Sequence, residues 1–153
     1  MPTFSTSTTI NASRQQVWAA LADIGSIHVW NPGVKASHAT SEQGSGLGAT
    51  RHCDLGGRNF LDEQVVAFEA GEALTMRITK TNLPLRDVDI RFRLEPSGEA
   101  TQVTVSPEYQ VRFGPIGTVM DHLFIRRSYE KGMGALLRGL KHHVEAQTDP
   151  AIT

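Results

Sequence analysis

The sequence holds a single cysteine, Cys53, which excludes an intramolecular disulfide framework and suits a reducing compartment. Neither sign of charge is in excess. Fifteen Lys and Arg face sixteen Asp and Glu, for a net charge of -1, so there is no electrostatic footprint for nucleic acid or an anionic membrane. No stretch approaches the roughly 18 apolar residues that a membrane span needs. Met1-Pro-Thr-Phe-Ser-Thr6 lacks both a basic flank and an apolar run, so no signal peptide is expected. There is no H-E-x-x-H, C-x-x-C or G-x-S-x-G pattern, which removes the common zinc, redox and hydrolase signatures. Gly44-Ser-Gly-Leu-Gly48 precedes a strand instead of opening a helix, so it is no dinucleotide fingerprint. The six histidines form no metal motif; His142 and His143 adjoin near a helix end, where cations favour the dipole. Internal repeats and low-complexity tracts are also lacking. What remains is 153 residues, 39% of them hydrophobic, enough for one domain that buries roughly 70% of its unfolded surface. These features predict a cytoplasmic single-domain protein, residues 1–153, with no cofactor, no metal and no nucleic-acid partner.

Residues 3–10 are rich in Thr and Ser and read as a first strand. Asn11 or Ser13 can cap a helix over 13–23, where Val17, Trp18, Leu21 and Ile24 recur at helical spacing. Gly25 ends it, and a further turn through Ile27-His-Val-Trp30 stops at Asn31-Pro32. Between Val34 and Phe113, glycine- and proline-marked turns separate runs of alternating polarity. Leu74, Met76 and Ile78 form one such run, Val88, Ile90, Phe92 and Leu94 a second, and Val103 and Val105 a third. Period two with one polar face predicts antiparallel strands wet on one side, near 34–42, 47–55, 58–69, 73–81, 86–95 and 100–113. The last third predicts one helix from about Gly114-Pro115 to Gln147, with Val119, Leu123, Met133, Leu137, Leu140 and Val144 on a stripe. Gly132, Gly134 and Gly139 weaken it by roughly 1 kcal/mol each, which points to a close approach or a bend. A seven-stranded antiparallel sheet must bury its apolar face, and only this helix is long enough to cover it.

The chain resembles the START-like, or SRPBCC, superfamily, whose helix-grip fold is shared with the birch-pollen allergen. Within it the chain is similar to the bacterial polyketide cyclase/dehydrase group. The resemblance covers residues 3–147. It rests on Ile10-Asn-Ala-Ser13 before Val17-Trp18-Ala-Ala-Leu21-Ala-Asp23, on Trp30-Asn31-Pro32, on Gly46-Leu-Gly48-Ala-Thr-Arg51 and on Glu63-Gln64-Val65 ahead of Phe68. It continues in Leu83-Pro84-Leu85-Arg86-Asp87, Phe113-Gly114-Pro115-Ile116-Gly117 and Leu136-Leu137-Arg-Gly-Leu140-Lys141. The resemblance implies an α+β fold, a curved sheet gripping a long helix round an internal cavity. It also implies a lipid-like or polycyclic ligand, with some members cyclising or dehydrating polyketides. No single shared catalytic motif carries over.

Several residues are candidates for that cavity. Arg126 falls on the helix stripe where an apolar residue is expected, with His122, Tyr129 and Glu130 beside it. These groups either line the cavity and orient a ligand oxygen, or Arg126 and Glu130 pair at i, i+4 at its mouth. Tyr109 and Phe113 share parity with Val103 and Val105 unless Pro107 introduces a bulge. On the fourth strand Phe60, Asp62, Gln64, Val66 and Phe68 alternate with Leu61, Glu63, Val65 and Ala67, and neither face is clean. Either carboxylate, Asp62 or Glu63, can therefore point inward, and so can either Arg51 or His52 on the preceding strand. Trp30 is either a stacking surface for a planar ligand or a core anchor. Gly56-Gly57 and Leu83-Pro84-Leu85 suit entrance flaps, and Cys53 reads as an inert strand residue.

Trp30, Phe60, Gln64, Met76, Ile90, Phe92, Tyr109, Leu123 and Arg126 make up the expected binding set. The leading reading is a binding protein for a small hydrophobic or amphipathic molecule, polyketide-, isoprenoid- or lipid-like. The first alternative is a polyketide cyclase, aromatase or dehydratase. It requires two inward titratable groups in mutual reach, from Arg126, His122, Tyr109 and Asp62. The second is an interaction module, which predicts an exposed apolar patch at Leu83-Pro84-Leu85 and a collapsed cavity.

Overall fold

A computed structural model describes residues 5–83, 85–111 and 126–148. Strand β1 (Thr6–Ile10) is followed by helix α1 (Arg14–Ala22) and a 3-10 helix, Ile24–Val29. Strands β2 (Ala36–Ala39), β3 (Thr50–Gly56), β4 (Asn59–Glu69), β5 (Ala73–Thr81), β6 (Leu85–Ser97) and β7 (Ala100–Val111) come next, then helix α2 (Arg126–Thr148). The strands form one antiparallel sheet in the order β1-β7-β6-β5-β4-β3-β2. All seven expected strands are present. The expected start of the long helix at Gly114-Pro115, together with Phe113, Val119, His122 and Leu123, lies outside the described residues.

Of the two caps considered for α1, Ser13 fills the role. Its hydroxyl accepts from the Gln16 backbone N–H at 3.2 Å, and the Gln16 side chain accepts from the Ser13 N–H at 3.1 Å. This reciprocal pair satisfies two of the donors a first turn leaves free. Val17 and Leu21 are buried beneath α1, while Trp18 leans on Phe68 with ring centres 5.4 Å apart.

The inner face of the sheet is laid down by the alternation of Leu74 and Met76, of Val88, Ile90, Phe92 and Leu94, and of Val103 and Val105, all buried. Leu136, Leu137, Leu140 and Val144 of α2 are buried in the same core. At roughly 1.5–3 kcal/mol for each large apolar side chain buried, this face supplies most of the drive to fold. The carboxyl-terminal half of α2 is tied to β1 and its exit. Lys141 Nζ donates to Thr9 O at 2.6 Å, and Glu145 accepts from the Asn11 N–H at 2.8 Å.

Gly139 accounts for one of the helix glycines. A Cβ there would run into the Trp30 carbonyl oxygen and lie 3.1 Å from its carbon and 3.2 Å from Pro32 Cδ. Only glycine lets α2 approach the end of the 3-10 helix so closely. Among the described residues, no helix is long and apolar enough to cross a membrane.

Candidate functional site

Strand register decides which side chains look inward. Arg51 and Cys53 of β3 are buried, and Arg51 is the register partner of the buried Glu63 on β4. Arg51 Nε donates to Glu63 Oε1 at 3.0 Å, and its Nη1 donates to Ile24 O at 3.1 Å, tying the sheet to the 3-10 helix. The Cys53 thiol lies 3.6 Å from the same carboxylate oxygen. Burial, ahead of the opposing field of Arg51 and the reinforcing charge of Glu63, pushes that thiol up to about 12. It stays protonated and unreactive at neutral pH, as an inert strand cysteine should.

His52 and Asp62 therefore face the outside, where His52 Nδ1 lies 2.5 Å from Asp62 Oδ1. Asp62 is thus not the inward carboxylate that the cyclase alternative named; Glu63 is. The same register corrects two members of the expected binding set. Phe60 and Gln64 share parity with Asp62 and lie on the outer face. Phe60 stacks on His52 with ring centres 5.8 Å apart, and the Gln64 side-chain amide lies 3.5 Å from Gly48 O. Met76, Ile90 and Phe92 do point into the core, as the period-two pattern requires. Tyr109 is fully buried, because Val103, Val105, Pro107 and Tyr109 keep one parity. Pro107 causes no break on the β6 side, where it is the register partner of Ile90. The bulge falls on β6 instead, between Arg86 and Asp89, with Asp87 at φ 53°. Leu123 lies outside the described residues, as does the side chain of Arg126.

Trp30 caps the 3-10 helix and is only 6% exposed. With Leu21, Ile24, Ile27, Arg51, Leu74, Met76 and Phe92 it surrounds an internal void of about 10 Å³, at the lower limit for one water. The Trp30 indole nitrogen is buried without a hydrogen-bond partner among the described residues, a penalty of about 1–3 kcal/mol for an unmet donor. On its other side Trp30 borders an open groove of about 810 Å³ between the 3-10 helix and α2.

A gap in the sheet lies farther along. The β5–β6 register ends at Arg77 and Asp89, and beyond it Ile78–Thr81 part from Leu85–Val88 around a space of about 210 Å³. Leu85 is buried and Leu83 packs against the core, so these two leucines do not form the exposed patch that the interaction-module alternative predicts. The large apolar side chains that are exposed among the described residues are Val29 at 58% and Leu47 at 64%.

Solved structures share this architecture over nearly their full length. The Zhui aromatase/cyclase from a Streptomyces species is 16% identical, with a TM-score of 0.80 over 98% of this chain and 97% of that one. A START superfamily protein from Mycobacterium smegmatis is 16% identical, with a TM-score of 0.79 over 95% and 98%. Ara h 8.0201 is 13% identical, with a TM-score of 0.72 over 94% and 97%. No curated protein matches the sequence significantly. Residues 1–145 match the family model described as polyketide cyclase / dehydrase and lipid transport, and the chain, with its helix-grip fold, belongs to that family.

Proposed function

We propose that this protein binds a small hydrophobic or amphipathic molecule between the inner face of its sheet and its helices. Family membership supports the class of ligand. The observation that carries the reading is Trp30, whose indole N–H is buried without a partner among the described residues and whose side chain walls a void together with Leu21, Ile24, Arg51, Leu74, Met76 and Phe92. A mostly apolar chamber that also holds the Arg51 guanidinium and an unmet indole donor suits a mostly apolar ligand that carries an oxygen acceptor. The chamber expands on loading, because its resting volume is that of a single water.

Native mass spectrometry of gently purified protein, followed by organic extraction, tests this. A stoichiometric apolar adduct supports the proposal. With Trp18→Phe removing the second indole of the chain, the emission of Trp30 should shift when the extracted compound is added back. Saturable binding without any response from Trp30 would place the ligand elsewhere.

A second reading has its own observation. Glu63 is an inward carboxylate held against Arg51; a cyclase or dehydratase can use the carboxylate for proton transfer and the permanently charged guanidinium to hold a substrate oxygen. Incubating the extracted compound, or a polyketide-like substrate, with wild-type protein and with Glu63→Gln separates carrier from enzyme. Turnover that disappears in the variant while binding persists favours the enzyme.

A further inference from the structure

The outer face of the sheet carries a row of polar groups that ligand binding inside does not use. His38 on β2 is the direct register partner of His52 on β3, and His52 is the direct partner of Asp62 on β4. The two imidazoles stand with ring centres 5.5 Å apart and planes inclined by 39°. Both project from one pleated surface into an open depression of about 540 Å³, shared with Thr40, Thr50 and Thr79.

The geometry points to a two-histidine site for a divalent first-row transition ion, Zn²⁺, Ni²⁺ or Cu²⁺, on this outer face. Two imidazoles bound to one tetrahedral ion at about 2.1 Å place their ring centres about 5.3 Å apart, close to the spacing here. Asp62 accepts from the Nδ1–H of His52, which leaves the lone pair of that ring on Nε2. A carboxylate on the far nitrogen also orients a metal-binding histidine and raises its basicity. Phe60 stacks on the His52 ring and restricts its rotation. The ring of His38 makes no hydrogen bond among the described residues, so neither of its nitrogens is taken by a protein partner there.

Imidazole pairs suit these borderline cations, not Mg²⁺ or Ca²⁺. No three His, Cys, Asp or Glu side chains converge on one point among the described residues. Water therefore completes the coordination shell. The site is open and exchangeable, unlike a closed structural zinc cage.

The test uses the full, untagged chain carrying His142→Gln and His143→Gln, which removes the adjacent histidines of α2 as competing ligands. Calorimetric titration with ZnCl₂ should give one site. Titration with Cu²⁺ should give an electron paramagnetic resonance spectrum with splitting from two nitrogens. Adding His38→Gln or His52→Gln should weaken binding at least tenfold and remove the two-nitrogen pattern. Asp62→Asn should weaken it about 10- to 100-fold while the two-nitrogen pattern survives. Circular dichroism melts confirm that each variant is folded, as the exposure of these side chains leads one to expect. No binding at millimolar Zn²⁺ and Cu²⁺, or binding indifferent to His38→Gln and His52→Gln, overturns the proposal.

Discussion

Strands β3 and β4 hold two acid–base pairs one residue apart, on opposite faces of the same ladder. Inward, Arg51 and Glu63 meet at 3.0 Å with side chains 6% and 3% exposed. Outward, His52 and Asp62 meet at 2.5 Å with side chains 36% and 34% exposed. The separations are similar and the settings are not. Charge interactions grow several-fold as the effective dielectric falls from that of water to that of a protein interior, but so does the cost of removing the ions from water. The inner pair is therefore bound up with the fold, since neither partner can be lost alone. The outer pair leaves its members free to be recruited by something else.

Breaking the inner pair should have the largest effect. Glu63→Ala leaves the Arg51 guanidinium buried with only the Ile24 carbonyl as a partner, and should lower stability by about 3–5 kcal/mol, measured by urea denaturation. The same substitution frees the Cys53 thiol of the carboxylate at 3.6 Å. Thiol labelling of the native state should become faster than in wild type, where burial holds the group at about 12. Replacing both charges sharpens the comparison. Arg51→Met with Glu63→Leu removes two desolvation costs together, so the double variant should come within about 2 kcal/mol of wild type and above Glu63→Ala. If it is as unstable as the single variant, the cost lies in packing and not in an orphaned charge.

How much of this was legible in the sequence follows from the same strands. Leu74 and Met76 on β5, Ile90, Phe92 and Leu94 on β6, and Val103 and Val105 on β7 are buried as their alternation predicts, because period two survives where register is unbroken; Ile78, next to a register shift, is only half-buried. On β4 it failed for a physical reason. Register shifts fall between Asp62 and Glu63 and between Val65 and Ala67, so Glu63 and Val65 face inward before the second shift and Phe68, paired with Leu74, faces inward after it. No single parity describes such a strand, and Phe60 and Gln64 of the expected binding set lie on its outer face. The pairing of His38 with His52 was hidden differently. Fourteen positions separate them, and only the β2–β3 register brings them together, so a search for local histidine motifs passes over them. Gly139 was half legible. Its helix cost announced a close approach, but the partner, the Trp30 carbonyl, is more than a hundred residues away.

Glu145 gives the comparison an intermediate member, at 29% side-chain exposure. The Asn11 backbone N–H first, then the Lys141 ammonium, hold its carboxyl below the ordinary value of 4.5. A depressed carboxylate stabilises the fold above its unfolded value, and that contribution is lost as pH falls through the lower folded one. Acidification below about pH 4.5 should thus cost wild type more stability than Glu145→Gln. At neutral pH the variant should be weaker by no more than about 1 kcal/mol, given the solvent around the group. Melting curves at pH 7 and pH 3.5 check both statements. If the gap between the two proteins stays constant with pH, the Asn11 contact acts as a neutral hydrogen bond instead.

The smallest effect should come from the outer pair, and that smallness is the informative part. Asp62→Asn keeps the shape of the side chain and an oxygen that can still accept from His52, while removing the charge. With both partners about a third exposed, stability should change by less than about 0.5 kcal/mol. A loss comparable to that of Glu63→Ala would mean that folding depends on the outer pair no less than on the inner one. A negligible loss means that the ordering of His52 by a carboxylate and by the Phe60 ring is not required for folding. The inner pair then anchors the 3-10 helix that carries Trp30, and the outer pair, on the same ladder, remains available for a ligand.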